Sequence, residues 1–244
     1  MNLRQAGTRI FLLAAAVLLT SCIDSREEYW LEADGGGRAE ATYCIPAAVA
    51  AMHGGESGIR GLIDGFLKKT PEITSSECEV ATEGNRLRVT IRAGFDSALD
   101  LKNVATGDAI KELPSAASNL AGKVTVDLQG RTLDFQRQIS VSTALPGSSF
   151  LPDSQFEGHR MVYIMHLPTA VLESNATRTE DSGRTLVWDF PLTEALNSPI
   201  ATRFKMEIPI PWTLVTTVAL PLSLFCGLAV RRIRKSRKRA ETVL

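Results

Sequence analysis

The sequence has few histidines and cysteines, and it lacks the spacings with which these residues bind metals or carry out redox chemistry. Its three histidines, His53, His159 and His166, have no partner at metal-ligand spacing, and no CxxC pair is present among four cysteines. A phosphate-binding glycine loop, a dinucleotide fingerprint and a G-x-S-x-G elbow are also absent; residues 55–59 come closest to the elbow, but their second glycine is one position early. We therefore assign no catalytic residue, metal ligand or cofactor from the sequence.

Charge is balanced over the whole chain but unevenly distributed along it. Lys and Arg together number 27, as do Asp and Glu. Residues 1–22 carry only basic groups, residues 23–207 are acidic on balance, and residues 208–244 are basic on balance. Three such regions indicate three physical environments. The 44% hydrophobic and 22% charged content, without internal repeats or low-complexity linkers, favours one folded domain in the middle region.

The first residues have the pattern of an export signal. Arg4 and Arg9 precede or flank the uncharged run 10–20, which has the length of a secretory apolar core and is short for a membrane span. The segment Leu19-Thr20-Ser21-Cys22 resembles the lipobox of bacterial lipoproteins. That resemblance implies a signal peptide over residues 1–21 and a mature chain that begins at Cys22, diacylated on its thiol as with palmitate. The alternative is an ordinary signal peptide with a coincidental cysteine.

The last residues have the pattern of a membrane anchor. Residues 208–230 form a run of 23 residues without charge, long enough as a helix to cross a hydrocarbon core of about 30 Å. Seven basic residues follow between Arg231 and Arg239. This asymmetry predicts a transmembrane helix over 208–230, a basic cytoplasmic tail over 231–244 and an extracytoplasmic domain over 22–207. Membrane lipid, rather than nucleic acid, is the expected partner of the basic tail.

Two anchors with short connections constrain the position of the domain. Strand-like sequence begins near Glu27 and ends at Ile208, so only a few residues separate the folded region from each anchor. A residue of extended chain reaches about 3.4 Å, so these connections are short. We expect the domain to lie against the outer surface of the membrane with one face turned to the lipid headgroups.

Strand patterns dominate the middle region. Arg86–Arg92 alternates apolar and polar residues, and Met161–Met165 is apolar on both faces, as in a central strand. Residues from Ser57 to Lys69 show helical periodicity. The sequence predicts an α+β fold, a mostly antiparallel sheet with one or two covering helices, followed by the transmembrane helix. The predicted hairpins pair residues 29–33 with 39–44, 78–82 with 86–92, 124–128 with 132–141, and 171–177 with 185–190.

Two sets of residues in the domain are candidates for a specific role. Cys44 and Cys78 remain after Cys22 is assigned to lipid and Cys226 to the span, and an oxidising compartment favours a disulfide between them; two free thiols are the alternative. Arg86, Arg88 and Arg92 share one strand face and are candidates to bind phosphate headgroups or an acidic glycan. The alternative for this face is pairing with neighbouring acidic residues in solvent.

The arrangement of lipobox, α+β domain, single span and basic end resembles the LppM-like bacterial lipoproteins. The resemblance implies an envelope protein whose extracytoplasmic domain binds lipid-like molecules without enzymatic activity, and it carries over no functional residue except Cys22. Three functions remain open: a non-enzymatic binding module for an envelope lipid, glycan or partner protein; a structural or accessory subunit of a membrane protein complex; and an envelope hydrolase. A hydrolase would need a hydroxyl, a histidine and a carboxylate that converge in a pocket.

Overall fold

The computed structural model describes residues 24–145 and 148–209, which form an α+β domain. The α+β fold class is confirmed, although the described residues contain more helices than the one or two expected. The strands are β1 (Asp24–Leu31), β2 (Gly37–Pro46), β3 (Ile73–Glu83), β4 (Arg86–Phe95), β5 (Lys123–Gln129), β6 (Thr132–Ile139), β7 (Arg160–His166), β8 (Val171–Ser174), β9 (Arg178–Glu180), β10 (Thr185–Pro191) and β11 (Ile200–Glu207). The α-helices are α1 (Ala47–Met52), α2 (Gly55–Lys68), α3 (Leu101–Thr106), α4 (Asp108–Lys111), α5 (Ser115–Ala121), α6 (Val141–Ala144) and α7 (Leu192–Asn197), and short 3₁₀ turns cover Ala98–Asp100, Ser148–Phe150, Asp153–Gln155 and Asp181–Gly183.

Two sheets build the domain. The larger has seven strands in the order β3-β4-β2-β1-β7-β10-β9, and the smaller has four in the order β5-β6-β11-β8. All neighbours are antiparallel except β1 and β7, which are parallel. The apolar segment Met161–Met165 lies in β7, between β1 and β10, so its prediction as a central strand is confirmed.

The main core lies between the two sheets. Trp188 of β10 and Phe204 of β11 are 1% and 0% exposed and belong to one cluster that joins the two sheets. A second, smaller cluster lies beneath the helices α1 and α2 and contains Val80, Leu87 and Val89. Because side chains alternate along a strand, the larger sheet buries one face against these two layers. We call its other face the outer face; this face is also buried along β7 and β10, where Ile164 and Val187 are 8% and 2% exposed.

Helix α2 covers part of the larger sheet and protects its edge. It begins at Gly55, two residues before the predicted start, because Gly54 takes the left-handed conformation at φ 86° and turns the chain into the helix. Arg60 of α2 donates hydrogen bonds to the carbonyl oxygens of Cys78, at 2.9 Å, and Val80, at 3.1 Å. Both carbonyls belong to the edge strand β3, so Arg60 occupies acceptors that another strand would otherwise pair with.

Three of the four predicted hairpins are confirmed: β1 with β2, β3 with β4, and β5 with β6. The fourth is wrong, because β8 pairs with β11 in the smaller sheet, whereas β10 pairs with β7 and β9. The predicted turn at 181–183 exists, and Asp181 and Ser182 have positive φ angles of 52° and 54°, but it joins β9 to β10.

The predicted disulfide is contradicted, since Cys44 and Cys78 are both free thiols. Cys44 is paired with Arg88 on one side of β4, and Cys78 is paired with Ile91 on the other side. Strands two places apart are separated by about 9.5 Å, whereas a disulfide needs Cα atoms within about 7 Å. The two thiols also point to opposite faces, because their partners on β4 are an odd number of residues apart.

The chain begins and ends the domain at opposite ends of the strands. Asp24 accepts a hydrogen bond at 3.2 Å from the backbone N–H of Arg160, the first residue of β7. Thr169, just beyond the last residue of β7, donates a 2.7 Å hydrogen bond to the carbonyl of Glu207, the last residue of β11. A strand of seven residues is about 23 Å long, so the two ends of the domain are separated by roughly that distance.

The carboxyl end of the domain is held by direct hydrogen bonds. The backbone N–H of Ile208 donates to the carbonyl of Arg131 at 2.8 Å, and the Arg131 guanidinium donates back to the Ile208 carbonyl at 3.1 and 3.3 Å. The last strand is therefore fixed to the turn between β5 and β6 up to its final residue.

Several predictions fall outside the described residues. They are the signal peptide at 1–21, lipidation of Cys22, the transmembrane helix predicted over 208–230, of which only residues 208 and 209 are described, and the basic tail at 231–244. The chain divides into two compact units, residues 1–208 and residues 209–244. No helix in residues 24–145 and 148–209 is long and apolar enough to cross a membrane.

Candidate binding site

A row of side chains crosses the outer face of the larger sheet near the Ile208 end. The strand register places Trp30 of β1 beside Arg38 of β2 on one side and beside His166 of β7 on the other. Thr185 of β10 follows next to His166. Residues directly opposite each other on neighbouring strands point to the same face, so these four side chains lie side by side.

The row is stacked. The His166 ring lies 5.2 Å from the Trp30 ring, with an angle of 12° between their planes. The guanidinium carbon of Arg38 lies 4.4 Å from the centroid of the Trp30 ring. Because Arg38 and His166 come from strands on opposite sides of β1, they contact the two faces of the indole. A guanidinium over an aromatic face is attracted by the ring quadrupole, which favours one orientation of the Arg38 side chain.

His166 contacts a carboxylate with one ring nitrogen and a hydroxyl with the other. Its Nε2 lies 2.7 Å from Glu28 Oε1, and its Nδ1 lies 3.1 Å from the hydroxyl of Thr185. Burial would raise the pKa of Glu28, but hydrogen bonds from His166 and Arg26 hold it below its ordinary value. Glu28 is therefore a carboxylate at neutral pH.

The group Thr185, His166 and Glu28 superficially meets the requirement for a hydrolase, since it brings together a hydroxyl, a histidine and a carboxylate. However, the Thr185 hydroxyl donates a 2.5 Å hydrogen bond to Asp181, and Thr185 is only 5% exposed. A nucleophilic hydroxyl must instead donate its proton to the histidine and be open to substrate. This cluster therefore orders the sheet surface and lacks an activated nucleophile.

The three arginines predicted to bind headgroups are all paired with acidic residues. They lie on the outer face as expected, but each guanidinium is engaged by at least one carboxylate, which is the arrangement given above as the alternative. This pairing weakens them as ligand-binding groups, and headgroup binding by them stays a prediction. The pairs are Arg86 with Asp24 at 3.1 Å, Arg88 with Glu83 at 2.8 Å, and Arg92 with Glu40 at 3.0 Å and with Glu77 at 3.2 Å.

Arg38 differs from these three. It forms no hydrogen bond or ion pair with another described residue, and its contact is the stack on Trp30. Arg38 was not predicted from the sequence, because the second strand of the predicted hairpin began at residue 39 and left Arg38 outside it. In the structure β2 begins at Gly37, and its register with β1 places Arg38 opposite Trp30.

Two open grooves adjoin Arg38. The first has a volume of about 560 Å³ and lies between Trp30, Arg38, Glu77 and Arg92. The second has a volume of about 460 Å³ and contains acidic groups at its wall, namely Glu32, Asp34 and Asp96. Arg38 lines both grooves. The surface at this point offers hydrogen-bond donors, acceptors and the aromatic side chains of Trp30 and Phe95.

A separate polar cluster lies inside the domain. Glu27 of β1 is 2% exposed, and Arg137 of β6 donates to both of its carboxylate oxygens, at 2.6 and 3.2 Å. Tyr29 and Tyr43 donate to the same carboxylate at 2.7 and 2.9 Å. Burial would raise the pKa of Glu27, but the charge and hydrogen bonds of Arg137, with the two hydroxyls, hold it below its ordinary value.

Arg137 also fixes the helix next to this cluster. Its guanidinium donates to the carbonyl oxygens of Leu120 and Ala121, both at 2.9 Å, at the end of α5. Burial and the charge of Glu27 raise the pKa of Tyr163, whose ring lies 5.2 Å from the Arg137 guanidinium carbon. The cluster thus joins the larger sheet, the smaller sheet and α5, and its burial makes it a structural element rather than a ligand site.

The histidines and cysteines offer no metal centre in the described part of the chain. No three His, Cys, Asp or Glu side chains within residues 24–145 and 148–209 are close enough together to hold a metal ion. His159 lies 3.0 Å from Asp24, at the opposite end of β7 from His166.

The fold and this surface define an α+β domain with an open, polar site on one sheet face. Neither a protein-family model nor a curated protein matches the sequence. Among solved structures, the chain is similar to the folded domain of LppM from Mycobacterium tuberculosis, determined by NMR, with a TM-score of 0.52 and 11% identity. The match covers 79% of this chain and 93% of the LppM domain. The resemblance to LppM-like proteins is therefore confirmed at the level of the fold.

Proposed function

We propose that this protein is a membrane-anchored lipoprotein of the bacterial envelope and that its domain is a non-enzymatic binding module. The fold shared with the LppM domain and the lipobox-like segment that ends at Cys22 support the proposal. The expected ligands are an envelope lipid, a glycan or a partner protein.

The observation that carries the binding function is the unpaired guanidinium of Arg38, held on Trp30 between two grooves. A charged side chain with unused donors, held in one orientation, loses little conformational entropy when a ligand binds. Both grooves are open, and charged side chains line them. These features favour a ligand recognised by its polar groups, such as a glycan or a headgroup, over an enclosed acyl chain.

The positions of the two chain ends suggest how the anchors hold the domain. Cys22 is two residues before Asp24, so a lipid on Cys22 lies within about 7 Å of that end. The predicted span follows Ile208 directly, and the two ends of the domain are about 23 Å apart along the strands. If both anchors enter one membrane, the strands must run along the membrane surface and not away from it.

Two labels test the anchoring. Asn85, in the turn between β3 and β4, is exposed at the Asp24 end, and Gln129, next to the turn between β5 and β6, is exposed at the Ile208 end. Each is replaced by cysteine, labelled with a fluorophore, and its quenching by headgroup-bound quenchers is measured in reconstituted full chain. In every labelled protein, Cys44, Cys78 and Cys226 are replaced by serine so that the fluorophore reacts only at the introduced cysteine.

We expect both labels to be quenched in the protein with Cys22 intact, and labelled palmitate to be incorporated in cells. The Cys22→Ser variant should lose palmitate and quenching at position 85, while position 129 stays quenched. Unchanged quenching at position 85 or absence of palmitate would contradict double anchoring. A membrane protein that co-purifies in stoichiometric amount would instead favour the accessory-subunit function.

A further inference from the structure

We infer that Arg38 is the anchor of a binding site for an acidic sugar, whose carboxylate pairs with the guanidinium and whose hydroxyls donate to the carboxylates around it. The inference rests on the proposed binding function and names its site and ligand class. It does not depend on how the domain is attached to the membrane.

Arg38 differs from the other arginines of the described residues. Each of those others donates a hydrogen bond to a carboxylate or to a backbone carbonyl, except Arg203, which forms an ion pair with Asp134 at 3.7 Å. Arg38 has its donors unused, and Trp30 holds its plane. A planar guanidinium with free N–H groups matches a carboxylate with two parallel hydrogen bonds, which is the strongest form of this contact.

The charges around Arg38 limit the charge of a ligand. The first groove is lined by two guanidinium groups, Arg38 and Arg92, and by two carboxylates, Glu40 and Glu77, which are both paired with Arg92, so its charges balance only when Arg38 is included. The second groove adds Glu32, Asp34 and Asp96 to the single charge of Arg38. These acids repel any anion, but they repel a group with two negative charges about twice as strongly as a group with one, and a single guanidinium balances only one negative charge. The site therefore favours a monoanionic carboxylate over a phosphate monoester.

The acidic side chains beside Arg38 have carboxylate oxygens that other described residues do not occupy. Asp34 accepts a hydrogen bond from the backbone N–H of Gly36 with one oxygen, and no other bond of its side chain to a described residue is seen. The side chains of Glu32 and Asp96 form no hydrogen bond or ion pair within the described residues. Carboxylates accept hydrogen bonds only, and sugar hydroxyls donate them. Glu32, Asp34 and Asp96, which repel a second negative charge, can thus accept hydrogen bonds from the uncharged hydroxyls of the sugar.

The sheet surface beside Arg38 carries only small side chains. Gly94 lies opposite Arg38 on β4, and the hydroxyl of Ser75 lies over it, 2.6 Å from where a Cβ would be. Gly94 and Ser75 line both grooves. A sugar ring can therefore approach Arg38 along the sheet surface.

The test uses the full chain in non-ionic detergent with ¹⁵N-labelled tryptophan. The indole N–H signal of Trp30, assigned with Trp30→Phe, is followed by NMR during titration with glucuronate, glucose and glucose 6-phosphate. The signal of buried Trp188 reports whether each variant keeps its fold. A parallel titration uses vesicles of phosphatidylglycerol, a phosphodiester lipid with a hydroxyl-bearing headgroup, with phosphatidylcholine vesicles for comparison.

We expect glucuronate to shift the Trp30 signal with higher affinity than glucose or glucose 6-phosphate. Arg38→Ala should weaken glucuronate binding at least about tenfold, because hydrogen bonds to charged groups are lost. Arg38→Lys should also weaken it, since an ammonium lacks the planar fork. The matched control is Arg88→Ala, which removes the same charge from the same face but from a paired arginine, and it should leave binding unchanged.

Several results would overturn the inference. They are no response to glucuronate, an equal loss in Arg38→Ala and Arg88→Ala, or stronger binding of glucose 6-phosphate than of glucuronate. A response to phosphatidylglycerol vesicles that exceeds the response to glucuronate would assign the site to a lipid headgroup instead and would also contradict it. None of these results would alter palmitate incorporation or label quenching, so the anchoring is tested separately.

Discussion

Replacement of Arg137 by methionine should destabilise the domain strongly, because it leaves the Glu27 carboxylate buried without its charged partner. The substitution removes two hydrogen bonds to that carboxylate and two to the carbonyls at the end of α5. Breaking a buried ion pair from one side costs about 3–5 kcal/mol. The hydroxyls of Tyr29 and Tyr43 still bind Glu27 and limit the loss. Because domains are stable by about 5–15 kcal/mol, this is a large fraction of the free energy of unfolding.

The coupling between the two residues can be measured with a double-mutant cycle. We expect Arg137→Met and Glu27→Gln each to lower the urea midpoint of the full chain in detergent, followed by the fluorescence of buried Trp188. The double variant should lose clearly less stability than the sum of the two, since neither charge is then left unpaired. Additive losses would refute the conclusion that the pair acts as one buried unit.

The same pair predicts a dependence on pH. The pKa of Glu27 is lower in the folded chain than its reference value of 4.5, so the unfolded chain takes up this proton more readily. The stability that the carboxylate contributes is therefore present above about pH 4.5 and is lost as the pH falls through the folded pKa. Between neutral pH and pH 3, the urea midpoint should fall more for the unsubstituted chain than for Glu27→Gln. An equal fall would show that other carboxylates account for the acid sensitivity.

Further predictions concern backbone packing, the thiols and the sheet edge. Gly37→Ala should lower the urea midpoint by the equivalent of about 1–3 kcal/mol, because its Cβ would clash with the Trp30 carbonyl oxygen. The control Gly61→Ala should not destabilise the domain, because a Cβ at Gly61 meets open space. Cys44→Ser should change the free energy of unfolding by less than about 1 kcal/mol, because Cys44 is a free thiol. Loss of a disulfide would instead cost about 2–5 kcal/mol. Arg60→Ala should increase light scattering over time because it frees the edge carbonyls of β3; scattering equal to the unsubstituted chain would show that the edge is protected by other means.

The parts of the fold that sequence analysis predicted correctly depend on short-range patterns. The hairpins of β1 with β2, β3 with β4 and β5 with β6 each join two alternating runs through a turn of a few residues, so turn and pairing are both visible locally. The prediction that Met161–Met165 is a central strand was correct for a similar reason, since apolar residues on both faces indicate burial on both faces.

The incorrect predictions concern pairing between distant segments. Nothing in the local pattern of β8 indicates that it leaves its neighbour in sequence and pairs with β11, with a register shift between Lys205 and Met206. The disulfide failed because β4 lies between the strands that carry Cys44 and Cys78. Their residue types and compartment favoured a bond, but strand order is set by tertiary packing and decided the outcome.

The buried ion pair was within reach of the sequence. Glu27 shares the inward-facing parity of Tyr29 and Leu31 on β1, and Arg137 shares that of Phe135 on β6. Each of these two strands thus has one charged residue at a position where its neighbours of the same parity are apolar and buried. Two such residues indicate two buried charges, and buried charges are stable only when they are paired. Which strands carry the partners could not be predicted, because the contact joins residues of different sheets.

The most direct test of the account is native mass spectrometry of the full chain extracted gently from its own membranes. The account predicts a carbohydrate-containing ligand with a carboxylate on the unsubstituted protein, and its loss from Arg38→Ala but not from Arg88→Ala. Absence of such a ligand from the unsubstituted protein, or the same ligand retained equally by both variants, would contradict it.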